Sequence, residues 1–274
     1  MLPYIPFFGK PISSYMLMAC LGFFAVWLVS KLATRHDARV NQTQIPHIAL
    51  AAMGGLLVGA HLLYGIVNAR ILINAANDHF SRVHSFNGFL MLLGLTFGGM
   101  VFYGGLFGAL IGAAWYIRAM KMPFPPYMDI MAFCIPLFHG FARIGCFLGG
   151  CCYGVESRYG FIFDSSPDIT ANGVRRFPVQ LLEAGLEFLL FALLLLLFRK
   201  KKCGGRLMAV YLVCYAVIRF FDEFLRGDSA RGFVGPLSTS QFISLLILAA
   251  VPVLLLLRRH KAGKSEKNAA VTGE

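Results

Sequence analysis

The sequence is short of charge. Asp, Glu, Lys and Arg make up 14% of it while hydrophobic residues make up 58%. A soluble globular domain carries about 25% charged residues. The shortage excludes an ordinary water-soluble domain and points to a chain that lives in lipid. Acidic residues are scarcer than basic ones, 13 against 25, for a net charge of +12. That excess does not gather on one segment as a nucleic-acid surface would require. It falls in short clusters between apolar runs: Lys31, Arg35 and Arg39; Arg118 and Lys121; Arg199 to Lys202 with Arg206; and Arg258, Arg259, Lys261 and Lys264. Cytoplasmic loops of membrane proteins carry such clusters, and anionic membrane lipids attract them. No nucleic-acid partner is expected.

A cleavable leader pattern is also lacking. Only Lys10 precedes the first apolar run, no A-x-A exit follows it, and basic residues come next, so the run is expected to remain as a helix. The seven cysteines are an odd number. Cys20, Cys134 and Cys214 lie in apolar runs and read as small buried hydrophobes. Cys203 falls in a basic loop, where it is expected to stay reduced. Cys146, Cys151 and Cys152 cluster, but a structural zinc site needs four ligands and no fourth is visible. No metal and no cofactor are expected. Packing, or a local disulfide using Cys146, is the reading of that cluster.

What the chain has is apolar length. Seven segments approach the roughly 20 residues needed to cross a bilayer: about 14–33, 45–66, 88–117, 127–148, 178–198, 206–225 and 240–257. The third is Gly-rich, with a break expected near Gly104-Gly105, and irregular backbone survives at that depth only inside protein or along a wet cavity. The dense basic clusters follow spans 1, 3 and 5 and the last span. The other loops mix signs: Asp78 with Arg82; Glu156, Arg158, Asp164, Asp168, Arg175 and Arg176; Asp228 with Arg231. The expectation is an all-α integral membrane protein of about seven transmembrane helices with one broken or re-entrant Gly-rich segment. Its N-terminus lies outside and its C-terminus in the cytoplasm. Residues 1–260 form a single bundle with an outer loop at about 149–177, holding a small hairpin around Arg158–Phe163, and residues 261–274 form a disordered tail.

Ionisable groups inside apolar runs cost about 3 kcal/mol each on insertion scales and mark functional sites. Three places carry them. His139 and Arg143 stand four apart, on one helix face, among the small residues Gly140, Ala142 and Gly145, which let a ligand approach. A guanidinium there suits a phosphate or carboxylate held by two hydrogen bonds. Arg219, Glu223 and Arg226 fall at i, i+4 and i+7 as one inward stripe. Gln180, Glu183 and Glu187 fall at i, i+3 and i+7, and their carboxylates are expected to orient the arginines. Asp129 reads as a carboxylate at a helix N-terminus.

At these residues the sequence resembles the prolipoprotein diacylglyceryl transferases. The family's Gly-Arg-x-Gly-Asn-Phe-x-Asn-Gly run, ending in an aromatic-Gly pair, appears as Ala142-Arg143-Ile144-Gly145-Cys146-Phe147-Leu148-Gly149-Gly150, closing on Tyr153-Gly154. Its His-Gly-Gly-Leu appears as Tyr103-Gly104-Gly105-Leu106, and its Pro-Thr-Gln-Leu-Tyr-Glu as Pro178-Val179-Gln180-Leu181-Leu182-Glu183. Arg-Phe-x-x-Glu-x-x-Arg is matched by Arg219, Phe220, Glu223 and Arg226, and Ser-x-x-Gln by Ser238 and Gln241. The order holds over residues 88–257, about 60% of the chain.

The resemblance implies an enzyme of the bacterial cytoplasmic (inner) membrane. It would transfer diacylglycerol from phosphatidylglycerol to the lipobox cysteine thiol in a preprolipoprotein signal peptide, with glycerol phosphate leaving. Arg143, Arg219, Tyr103 and His139 are then the expected catalytic residues. Gly104, Gly105, Gly145, Cys146, Gly154, Gln180, Glu183, Glu223 and Arg226 are the expected substrate-binding ones. Four positions depart from the family pattern: Tyr103 replaces His, Cys146 and Gly149 replace Asn, and Cys151 replaces Glu. A tyrosine ionises near pH 10 and is a poor base, so His139 or an arginine-activated Tyr103 is expected to stand in. The departures leave room for a closely related phospholipid group transfer, and the alternative is a lipid or small-anion transporter, or a binding membrane protein without catalysis, using the same arginines. A transporter would show matched broken helices in two halves, and only one Gly-rich break is present.

Overall fold

The computed structural model describes residues 2–7, 10–70, 73, 86–166, 168–202, 205–228 and 232–272. The chain is mostly helical. Among the described residues the helices are α1 (Ser14–Thr34), α2 (Ile45–Val67), α3 (Phe86–Phe97), α4 (Phe102–Ala119), α5 (Phe124–Gly149), α6 (Val179–Arg199), α7 (Leu207–Asp222) and α8 (Thr239–Thr272). Three short antiparallel strand pairs accompany them: β1 (Tyr4–Phe7) with β2 (Lys10–Ser13), β3 (Glu156–Ile162) with β4 (Arg175–Arg176), and β5 (Phe233–Val234) with β6 (Leu237–Ser238). Among the described residues, five helical stretches are long and apolar enough to cross a membrane: Ser14–Thr34, Gln42–Val67, Phe124–Gly149, Val179–Arg199 and Thr239–Leu257. α8 runs past its apolar stretch to Thr272. The expected loop charges Asp78, Arg82 and Arg231, and Cys203, lie outside the described residues.

The chain divides into two compact units, one of residues 24–131 and one of residues 1–23 with 132–274. In the first, α2 and α4 lie backbone to backbone. Gly104, Gly108 and Gly112 recur every fourth residue, as do Ala51, Gly55 and Gly59 on α2. A Cβ built on Gly55 would sit 2.1 Å from the Gly108 carbonyl oxygen, and one on Gly112 would sit 2.4 Å from that of Ala51. Small residues at this spacing let helices approach closely where no hydrophobic drive pulls them together in lipid. The Gly-rich segment is broken, but at residues 98–101, between α3 and α4. Gly104 and Gly105 lie inside α4 and are buried. Their role is contact: Gly104 meets Gly59 and Leu63, and continuous helix keeps that register.

In the second unit, the β1–β2 pair and the start of α1 meet the end of α5. Leu2 N–H donates to the Leu148 carbonyl at 3.1 Å. Gly145 packs closely on Tyr15, and a Cβ built on Gly22 would sit 2.9 Å from the Phe141 Cβ. α5 contains Pro136, which removes one interior hydrogen bond just before His139. α5 begins at Phe124, so Asp129 is not in its first turn; it is buried instead. The strand β3 pairs with β4 and does not turn back on itself around Arg158–Phe163.

Burial runs opposite to that of a soluble protein. Leu50, Leu57, Ile66, Leu189, Leu196, Leu254 and Leu256 are exposed, while His139, Arg143, Gln180, Glu183, Glu187, Arg219, Asp222 and Glu223 are buried. Apolar surface turned outward and polar groups paired inward is the arrangement lipid requires.

Candidate active site

Most of the buried polar groups of the second unit come from α5, α6, α7 with the turn after it, and the start of α8. On α5, the four-residue spacing sets His139 and Arg143 on one face. On α6, Glu183 and Glu187 repeat the spacing. The two pairs meet. Arg143 Nη2 lies 2.6 Å from Glu183 Oε2, His139 Nδ1 lies 3.2 Å from Glu187 Oε1, and His139 Nε2 lies 3.6 Å from Glu183 Oε1. Both ring nitrogens of His139 therefore face carboxylates. Tyr215 of α7 meets the ring edge to face, 5.6 Å between centroids. Of the two α6 carboxylates expected to orient arginines, Glu183 does so and Glu187 holds the histidine. Gln180, the third member of the α6 set, is fully buried and donates from Nε2 to the Cys151 carbonyl at 2.8 Å.

Arg219 closes α7. Its Nη2 reaches Glu223 Oε2 at 2.6 Å and donates to Ser240 Oγ at 3.1 Å. Ser240 is placed by a reciprocal cap at the start of α8: Ser238 N–H donates to Gln241 Oε1 and Gln241 N–H to Ser238 Oγ, both at 3.1 Å. The Ser-x-x-Gln motif is thus a capping box. The expected stripe through Arg226 is interrupted, because α7 ends at Asp222 and Arg226 has extended backbone (φ −82°, ψ 138°). Arg226 instead grips Asp228 with two hydrogen bonds, Nε to Oδ1 at 2.9 Å and Nη2 to Oδ2 at 2.5 Å. Its backbone bridges to Gly154. A Cβ on Gly154 would lie 2.3 Å from the Phe177 carbonyl oxygen, so this glycine serves a close backbone approach.

The end of α5 carries the cysteines. Cys151 N–H donates to the Cys146 carbonyl at 3.1 Å and Gly150 N–H to the Phe147 carbonyl at 3.2 Å. Gly150 is left-handed (φ 74°). This is a Schellman turn, and it folds residue 151 back over residue 146. Cys152 follows with φ 56°, rare for a residue with a side chain. The three sulfur atoms lie within 4.8 Å of one another. Arg143 Nη1 points at Cys146 Sγ from 3.9 Å. Contacts from Cys146 and Cys151, with Arg226 and Arg143 beyond them, push the Cys152 thiol well below the ordinary cysteine range. All described cysteines are free, including Cys146.

Tyr103, Gly104 and Gly105 belong to the other unit, buried in α4. Sequence reasoning did not single out Asp222, Ser240, Tyr215 or Tyr15. Asp222, buried and three residues after Arg219, carried a readable signal as a second carboxylate beside Glu223. Tyr15 carried none, because an aromatic residue at the start of an apolar helix is common in membranes.

A family model described as prolipoprotein diacylglyceryl transferase matches residues 3–257. Among curated proteins, the chain is 35% identical to the phosphatidylglycerol–prolipoprotein diacylglyceryl transferase of Clostridium tetani, covering 88% of this chain and 91% of that one. It is 33% identical to phosphatidylglycerol–prolipoprotein diacylglyceryl transferase 2 of Clostridium perfringens over 94% and 95% of the two chains. The Geobacter sulfurreducens phosphatidylglycerol–prolipoprotein diacylglyceryl transferase is 31% identical over 91% and 92%.

Proposed function

Because the chain belongs to the prolipoprotein diacylglyceryl transferase family, we infer that it is a transferase of lipoprotein biosynthesis, moving a diacylglyceryl group from phosphatidylglycerol to a prolipoprotein. The acceptor we propose is the lipobox cysteine of the signal peptide. We also propose the finer topology: seven spans in the bacterial cytoplasmic membrane, the N-terminus outside, the C-terminus in the cytoplasm, and the loop at about 149–177 on the outer side.

The observation that carries the chemistry is the pair of buried arginines, Arg143 and Arg219, each held by one carboxylate at 2.6 Å. The acceptor sulfur, as thiolate, attacks the glyceryl carbon that bears the phosphate ester. The carbon–oxygen bond breaks, its electron pair goes to the phosphate oxygen, and glycerol phosphate leaves with one more negative charge than the ester had. Preorganised guanidinium groups stabilise charge that develops in the transition state. Glu183 and Glu223 fix the arginines in place. Gly145 and Gly154 keep the backbone close, and Gln180, Cys146 and Arg226 shape the wall around the donor headgroup. His139, with a carboxylate at each ring nitrogen, positions Glu183 and Glu187.

The test is incubation of the purified chain with phosphatidylglycerol vesicles and a lipobox peptide. Release of glycerol phosphate in equal amount to thioether-linked peptide is expected. Glycerol phosphate without lipidated peptide, or neither product, would overturn the reading. Vesicle-to-vesicle movement of intact phosphatidylglycerol would favour a transporter.

A further inference from the structure

We propose that Cys146, Cys151 and Cys152 bind a zinc ion whose fourth position takes the acceptor thiol as a thiolate, so that the metal activates the nucleophile. The proposal rests on the transferase reading above and adds to it the means of activating sulfur.

Geometry comes first. Three thiolates at the usual zinc–sulfur distance are spaced at about 3.8 Å around a tetrahedral ion. Here the three sulfurs lie within 4.8 Å of one another. The backbone builds the cluster: the Schellman turn at the end of α5 returns Cys151 to Cys146, and the left-handed Cys152 swings its own side chain in the same direction. Gln180, fully buried, pins the Cys151 carbonyl from α6.

Donor type comes next. The cluster is all sulfur, which selects soft or borderline ions such as zinc over magnesium or calcium. Structural zinc sites are closed by four ligands, whereas catalytic ones keep three protein ligands and an open position. This cluster offers three. With zinc it would carry a net charge of minus one, and minus two once a fourth thiolate bound. Arg143 Nη1, at 3.9 Å from Cys146 Sγ, supplies an opposing charge at that place.

The reaction needs what such a site gives. A thiol that coordinates a divalent ion is deprotonated outright, and the thiolate is the nucleophile. Neither ring nitrogen of His139 is open toward a thiol, since each faces a carboxylate. In the proposed step the acceptor thiol binds zinc and its proton passes to water. The bound sulfur attacks the glyceryl carbon, and the ester carbon–oxygen bond breaks. The electron pair leaves with glycerol phosphate held by the arginines. The product thioether is a weaker ligand and dissociates. Nothing is oxidised or reduced.

The experiment uses the full chain, purified reduced in nanodiscs, with zinc or cobalt as the probe. One equivalent of zinc per chain is expected. The cobalt form should show sulfur-to-metal charge-transfer absorption that rises when a lipobox peptide is added but not when its cysteine is replaced by serine. Cys151→Ser and the triple Cys146→Ser, Cys152→Ser, Cys151→Ser variant should lose the stoichiometric metal and at least tenfold of the transfer rate. Cys214→Ser, outside the cluster, should keep both, and melting temperatures measured alongside identify any variant that fails to fold. Chelated protein should lose transfer and regain it with zinc. Undiminished transfer by metal-free protein, less than stoichiometric metal in the reduced chain, or a cobalt spectrum blind to the peptide thiol would each overturn the proposal. If the zinc-loaded chain shows the peptide-dependent spectrum yet never releases glycerol phosphate, the transferase reading fails instead.

Discussion

Arg143 and Arg219 share a design: one guanidinium nitrogen against a carboxylate at 2.6 Å, and a weaker partner beside it, Cys146 Sγ for one and Ser240 Oγ for the other. A planar fork can keep its carboxylate and still donate to a phosphate; an ammonium cannot present the same geometry. Arg143→Lys and Arg219→Lys should therefore insert normally and lose roughly a hundredfold in transfer rate, the usual effect of losing one transition-state donor. Arg226→Lys, engaged with Asp228, should be milder. Transfer to a lipobox peptide, with melting temperature beside it, decides: full activity in both lysine variants removes the phosphate clamp. Glu183→Gln tests the other side. It leaves buried Arg143 without its anionic partner, and breaking a buried pair costs about 3–5 kcal/mol. A pronounced drop in melting temperature is expected, larger than for Arg143→Lys. That the α6 carboxylates would serve the arginines was the expectation from the sequence, because a cation inside an apolar run needs an anion and few are on offer; that Glu183 meets Arg143 while Glu187 turns to His139 was not distinguished there. The three cysteines were legible as a group, but not how Cys151 reaches Cys146, since positions five apart point to different faces of a helix. Only the left-handed Gly150 reveals that the chain reverses there.

Between helices, the contact that admits least change is the one between α2 and α4. Gly55→Ala would place a methyl group 2.1 Å from the Gly108 carbonyl oxygen. The helices must part, and overpacking of this kind costs about 1–3 kcal/mol. Gly54→Ala, one position along with nothing within 4 Å, should be neutral or stabilising by up to about 1 kcal/mol through helix propensity. Thermal unfolding of the two variants in the same lipid gives the comparison, and equal melting temperatures would refute close backbone packing as the role of these glycines. The sequence showed a glycine-rich stretch and a break but misplaced it. A glycine that ends a helix and one that lets another helix approach look alike until the partner, here Ala51, Gly55 and Gly59, is known. The Ser238–Gln241 cap, by contrast, is a local pattern whose spacing alone specifies its hydrogen bonds.

For the molecule as a whole, alternating basic clusters make the topology testable. A reporter fused after Lys261 should be cytoplasmic, and one inserted beside Asn172 external. A cytoplasmic signal at Asn172 would invert the orientation. The membrane class was legible from composition and apolar run length, since both follow from solvation of the backbone. The division into two units was not, because it depends on which helices pair. That division bears on biosynthesis. Residues 1–23 belong with residues 132–274, and Tyr15 and Gly22 find Gly145 and Phe141 as neighbours. A ribosome delivers the first of these long before the second. The opening segment must wait in the bilayer, without its eventual companions, while more than a hundred residues are made and inserted. Residues 1–23 are then fixed in place only once the end of α5 has followed the whole of the other unit into the membrane.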